Sequence, residues 1–188
     1  MVYFYIMEYE QLKLSNQICF PVYAASRLIT REYQPYLEAM GITYPQYLVL
    51  MVLWEADGLS VNEISKKLIL NTNTITPLLK RMETIGLVER KRSDSDERKV
   101  FVKLTAKGSD LRIQAAEIPY KLMEGLQTSP MSVDDLVDLR EKLNVLIDFL
   151  KEKKIWDVKL YYFNVAKLRL IQKNYIWLPT ERYYICWL

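Results

Sequence analysis

The chain holds two cysteines, Cys19 and Cys186, and no histidine. Without imidazole there is no Ser-His-Asp or Cys-His catalysis, and no zinc site of the kind that uses histidine. Two cysteines are too few for a metal cage or a disulfide framework, so no metal is expected. Neither GxGxxG nor GxxxxGK[ST] occurs, and with five glycines in 188 residues a nucleotide enzyme is not expected. The residue types leave a binding protein with one candidate reactive thiol, no cofactor and no enzymatic centre. Cys19 taken alone reads as a small apolar residue on a helix.

A second chemistry lies further along. Ser60–Thr105 carries ten Lys/Arg and six Asp/Glu, a local excess of 10 − 6 = +4, whereas the whole chain is only 26 − 23 = +3. Within that stretch Ile75, Leu78, Leu79, Met82 and Ile85 share one helical face, and Asn73, Thr76, Lys80 and Thr84 lie opposite. Asn73, Thr74 and Thr76 can hydrogen-bond base edges, and Lys80 can reach a phosphate or a guanine. Arg90, Lys91 and Arg92 flank a polar tip, where Arg98 could enter a narrow minor groove. The alternative is capping residues on a solvated charged face. The combination favours nucleic acid.

Elements of definite kinds must position these groups. A helix is expected over Asn16–Met40, regular from about Cys19–Pro21 because proline suits only a first turn. Gly41 ends it, and Thr43 with Pro45 opens an apolar central helix, Tyr44–Ala56. Ser60 and Glu63 form a capping box for a helix to about Leu70. A polar knot, Asn71–Thr74, separates that helix from a second one ending at Ile85, with Gly86 as its stop. Leu87–Arg92 and Lys99–Leu104 alternate as two strands of a hairpin. Thr105 caps a helix to about Gln127, and Ser132 with Asp135 caps Val133–Lys153. There Leu136, Leu139, Leu143, Leu146 and Leu150 form a heptad seam suited to packing on another subunit. The fold class is mainly α: a winged helix-turn-helix with flanking N- and C-terminal dimerisation helices. No apolar run is long enough to cross a bilayer and no signal peptide is recognisable, so a cytoplasmic protein without a membrane partner is expected.

Asn71-Thr72-Asn73-Thr74-Ile-Thr-Pro-Leu-Leu-Lys-Arg-Met-Glu, followed by Asp96-Glu-Arg98 and Leu104-Thr105, resembles the MarR family of dimeric bacterial repressors. Asn16-Gln-Ile-Cys19-Phe-Pro-Val-Tyr23, Tyr33 and Gly41-Ile-Thr-Tyr44-Pro-Gln-Tyr47 resemble its organic hydroperoxide resistance regulators (OhrR). The resemblance covers roughly residues 10–153. It implies a DNA-binding part over 60–105 and dimerisation helices over 10–40 and 106–153. It also adds Thr72 and Asp96 to the DNA-contacting residues, which are then Thr72, Asn73, Thr74, Thr76, Lys80, Arg90, Arg92, Asp96 and Arg98.

In that family the cysteine matching Cys19 senses peroxide. The resemblance implies that phenols matching Tyr33 and Tyr44 hydrogen-bond its sulfur, the latter from the partner subunit, with Tyr23 nearby. It further implies a homodimer that holds operator DNA when reduced and lets go when an organic hydroperoxide oxidises Cys19. One subclass then captures a small cellular thiol; the other uses a second cysteine in the stretch matching Ala106–Gln127. That stretch has none here, which favours the single-cysteine mode. A repressor released by a small aromatic ligand without thiol oxidation is the alternative.

Residues 154–188 form an atypical aromatic extension without a family counterpart, holding nine of the chain's 23 aromatic residues and Cys186. Deleting Ile155–Leu188 is expected to leave operator binding and dimerisation intact, measurable by band shift and sedimentation.

Overall fold

The computed structural model describes residues 9–125 and 129–153; the extension at 154–188 lies outside them. The described residues divide into two compact units, one up to residue 125 and one from residue 129. The first contains α1 (Cys19–Ala39), α2 (Tyr44–Glu55), β1 (Leu59–Ser60), α3 (Val61–Leu68), α4 (Thr72–Thr84), β2 (Val88–Arg92), β3 (Val100–Leu104), α5 (Ala106–Ala115) and α6 (Ile118–Gly125). The second contains α7 (Val133–Glu152), opened by a Ser132–Asp135 capping box. Two single-turn 3-10 segments, Glu10–Leu12 and Leu14–Asn16, precede α1. This is the expected mainly α winged helix-turn-helix. Among the described residues no helix is long and apolar enough to cross a membrane.

Helix α2 is apolar on nearly every side and is the centre of the core, with Val49, Leu50 and Leu53 essentially without solvent contact. Ile64 of α3, Ile75, Leu79 and Met82 of α4, Val88 of β2 and Val102 of β3 are buried in the same cluster. Helix starts carry the expected chemistry. The Gln46 side chain accepts from the Thr43 backbone N–H at 2.8 Å, and Glu63 accepts from that of Ser60 at 2.8 Å. Both arrangements satisfy donors that helix geometry leaves unpaired.

Three boundaries differ from the sequence expectation. Asn71–Thr74 is not a knot between helices: α4 starts at Thr72, and the Asn71 carbonyl accepts from the N–H groups of Thr74 and Ile75. The expected helix from Thr105 to Gln127 breaks at Ala116–Glu117. Pro119 has no N–H, and its ring would collide with the carbonyl four residues back, so the chain restarts with Pro119 in the first turn of α6. A third strand also exists. β1 pairs antiparallel with β3, Leu59 opposite Val102 and Ser60 opposite Phe101, giving the order β1-β3-β2. Two residues are too few to show alternation in sequence.

The turn between α3 and α4 places Ile69 in the left-handed region, φ 55°. Ser65 fixes that turn by donating its hydroxyl to the Leu70 carbonyl at 2.7 Å, while the Leu70 N–H returns to Ser65. The base of the hairpin is tied to α5. Thr105 donates its hydroxyl to the Gly86 carbonyl and accepts the Gly108 N–H, and the Trp54 indole donates to the Gly108 carbonyl. A Cβ at Gly108 would stand 2.1 Å from the Leu87 carbonyl oxygen, a backbone atom that cannot swing aside. Gly108→Ala is therefore expected to destabilise the fold by roughly 1–3 kcal/mol, read as a lowered thermal midpoint.

Candidate DNA interface and thiol site

The first turn of α4 presents Thr72, Asn73 and Thr74 to solvent, because Ile75, Leu78, Leu79 and Met82 occupy the buried side. Thr76 donates its hydroxyl to the Thr72 carbonyl at 2.7 Å, so toward a ligand its oxygen acts as an acceptor. Lys80 is exposed one turn further on. A cavity of about 220 Å³ between α3, α4 and the hairpin is lined by Asn62, Thr72, Thr76, Arg90, Arg98 and Lys99, among others. Residues expected on separate elements thus share one basic groove.

The hairpin tip is shaped by Asp96. Its carboxylate accepts from the Arg98 backbone N–H at 3.1 Å, its carbonyl accepts from the Lys99 N–H at 2.8 Å, and its side chain also pairs with Lys99. Asp96 therefore turns the backbone that carries Arg98; as an anion it is ill suited to touch phosphate. Arg92 and Arg98 are exposed. Arg90 differs from both. On β2 the side chains alternate, and Val88 and Arg90 face inward with Val102 of β3. The Arg90 guanidinium donates to Glu83 through Nε at 2.9 Å and lies 2.8 Å from it through Nη2.

Cys19 is exposed at the first residue of α1, and the preceding Ile18 supplies no side-chain cap. The positive end of the helix dipole therefore lies at the thiol's own turn, to which Pro21 contributes no N–H. Tyr23, one turn on, lies exposed with the Arg27 guanidinium 5.7 Å from its ring centre. Tyr33 is on the same helix but 33 − 19 = 14 residues away, about 21 Å at 1.5 Å per residue. Tyr33 and Cys19 do not meet within one chain. Tyr33 instead packs edge-on against Tyr44, ring centres 5.2 Å apart, and both adjoin Tyr47 at 5.9 and 6.4 Å. Tyr47 continues to Trp54 at 6.2 Å. Beside Tyr44, a cleft of about 640 Å³ between α1 and the start of α2 is lined by Arg27, Arg31 and Gln34 among others.

This chain matches the model of the SarA/Rot transcriptional regulators over residues 31–113. It is 44% identical over 146 residues to the organic hydroperoxide resistance transcriptional regulator of Bacillus subtilis, covering 78% of this chain and 97% of that protein. Reduced AbfR bound to DNA, a Staphylococcus epidermidis protein, superposes with a TM-score of 0.64 at 38% identity, over 78% of this chain and 100% of that one. A mutant MarR from E. coli in complex with operator DNA superposes at 0.61 with 25% identity, over 67% and 90%. The chain belongs to the MarR family of transcriptional regulators. As a MarR-family member it is a DNA-binding regulator rather than an enzyme.

Sequence reasoning passed over three residues of this MarR-type chain. Tyr47 enters the sequence reading only within the OhrR-like motif and Trp54 not at all, because their place in the aromatic cluster depends on how α1 crosses α2. Glu83 read as one acidic residue among several, and its partner is seven residues away on another element. Burial raises the phenol pKa of Tyr33 above its ordinary value. It does the same for Tyr44, with Tyr33 adding to it, and for Tyr47, with Tyr33 and Tyr44 adding. All three phenols therefore stay neutral, as O–H donors, at physiological pH. A raised folded-state pKa of this kind leaves stability untouched below the ordinary value and lowers it as pH climbs toward the folded value. In a 295 nm alkaline titration, the extra phenolate absorbance of wild type over a Tyr33/Tyr44/Tyr47→Phe variant should rise with its midpoint above pH 10.

Proposed function

We propose that this chain is a redox-sensing repressor that holds double-stranded operator DNA as a reduced homodimer and is released when an organic hydroperoxide oxidises Cys19. The observation that carries the reading is the separation along α1: Cys19 with Tyr23 at its exposed start, and Tyr33 beside Tyr44 about 21 Å away. A second chain running antiparallel would bring each thiol to the other's tyrosine pair. Exposed Ile18 just before α1, Val22, Leu28 and Ile29 on it, and Val145, Leu146 and Phe149 on α7 supply apolar surface for such a dimer. The names of the relatives support the chemistry: one regulates organic hydroperoxide resistance, and AbfR has been solved reduced, overoxidised and with a disulfide formed.

In the proposed step the thiolate attacks the peroxide O–O bond. Sulfur is oxidised by two electrons to the sulfenic acid, and the O–O bond breaks as the alcohol departs with a proton from solvent. Two neutral phenol donors favour the anionic sulfur that begins the reaction. The sulfenic acid then condenses with a small cellular thiol, forming a mixed disulfide and water. Replacing the sulfur's hydrogen bonds to Tyr33 and Tyr44 costs about 1–3 kcal/mol each in a buried site. A coupling of that size lowers DNA affinity ten- to several-hundred-fold. The changed packing of α1 would alter the spacing of the two α4 helices, which must match half-sites about one helical turn apart.

The cleft beside Tyr44 favours a second reading, a repressor released by a small aromatic ligand, because its size suits such a molecule. Fluorescence anisotropy on the duplex upstream of the protein's own gene separates the two. Wild type should bind tightly when reduced and lose at least ten-fold in affinity after one equivalent of organic hydroperoxide. Cys19→Ser should bind as tightly and ignore the oxidant. A wild type indifferent to peroxide sinks the redox reading and leaves the ligand.

A further inference from the structure

Arg90 was expected among the residues that touch DNA, but its surroundings describe another task. Its β2 neighbours alternate between faces, and Arg90 sits on the inward one, opposite buried Val102. Its side chain is only 20% exposed, less than that of Glu83 at 39%. The Glu83 carboxylate accepts from the guanidinium at 2.9 Å, and a second contact, 2.8 Å, comes from Nη2. The Arg90 backbone N–H adds a third at 3.3 Å on the other carboxylate oxygen. Glu83 lies in the last turn of α4, and Arg90 stands in the middle of the first hairpin strand. This carboxylate therefore joins the helix carrying Thr72, Asn73 and Thr76 to the hairpin carrying Arg98.

We infer that Glu83 and Arg90 are positioning residues that set the hairpin against α4, so that both reach one duplex together. Nε and Nη2 both meet one Glu83 oxygen, so this carboxylate neutralises the Arg90 charge locally and fixes the direction of its side chain. The inference rests on the reading that α4 and the hairpin tip engage the same DNA, and that reading can be tested apart from it.

Simple electrostatics and positioning predict opposite signs for Glu83→Gln. Removing a negative charge close to DNA strengthens binding if charge alone matters. Loss of the clamp weakens it, by about ten-fold on the scale of one charged hydrogen-bonded pair. The measurement is anisotropy of the reduced full-length protein on the upstream duplex, across a salt series. Glu83→Gln should bind about ten-fold more weakly with an unchanged dependence of log Kd on log salt, because no phosphate contact is lost. Arg90→Lys keeps the charge but cannot present two N–H groups from one rigid plane to the Glu83 oxygen, and should weaken binding by a similar factor. The double variant should be no worse than either single one. Arg98→Met serves as the reference and should lower the salt dependence by about one counterion.

Equal or tighter binding by Glu83→Gln overturns the inference, as does Arg90→Lys binding like wild type. An Arg98→Met salt dependence equal to wild type, with Glu83→Gln still weakened, would instead count against the DNA-contact reading. Melting curves of each variant confirm that the folded protein is being compared.

Discussion

A continuous α-helix keeps its two ends apart, and α1 imposes that constraint on everything else in this molecule. Cys19 stands at its start and Tyr33 about 21 Å further along, locked against Tyr44 of α2. No side-chain rotation closes a gap of that size. If phenols are to stabilise the sulfur, they must come from a second chain, and the exposed apolar surface of α1 gives the two chains a reason to associate. The same helix passes over α6, where Lys121 lies 5.8 Å from the Tyr36 ring centre. In the proposed switch, a change at one thiol would change the seating of this helix, and helix seating would set how far apart two recognition helices stand.

The DNA-facing half depends on backbone contacts more than on its charges. Ser65 fixes the turn before α4, Asp96 fixes the hairpin tip, and Thr105 with Gly108 binds α5 to the hairpin's base. The first two close local turns, whereas Thr105 and Gly108 join separate elements in close packing that is costly to disturb. Lys80, Arg92 and Arg98 are exposed around them, where the proposed function would have them exchange counterions for phosphate. Arg90 is the exception because strand alternation turns it inward.

Much of this was legible in the sequence, and the reasons differ from place to place. Ser60–Glu63 and Ser132–Asp135 announce helix starts because the residues that satisfy a first turn are few and fall at fixed spacing. The alternation of Val100, Val102 and Leu104 announces a strand for the same local reason. Harder features depend on what lies across the fold. Asn71 reads as loop chemistry, yet core burial of Ile75 and Leu79 draws the helix back to Thr72. Pro119 stands in the first turn of α6, but the apolar period runs on past it, and Pro35 and Pro77 sit inside α1 and α4, so a proline alone does not mark a helix end. β1 exists only because β3 lies alongside. The aromatic cluster of Tyr33, Tyr44, Tyr47 and Trp54 depends on a helix crossing, and the distance between Tyr33 and Cys19 follows from helix length once α1 is known to be continuous.

A mixed dimer tests the central claim, that each thiol is completed by the other chain. One chain carries Cys19→Ser with its tyrosines intact, and the other keeps Cys19 but carries Tyr33→Phe and Tyr44→Phe. The rate at which the single remaining Cys19 consumes an organic hydroperoxide is measured by loss of free thiol. A site built across two chains predicts the wild-type rate per thiol, since the surviving cysteine faces intact phenols. A rate as slow as that of the Tyr33→Phe, Tyr44→Phe homodimer would contradict the account.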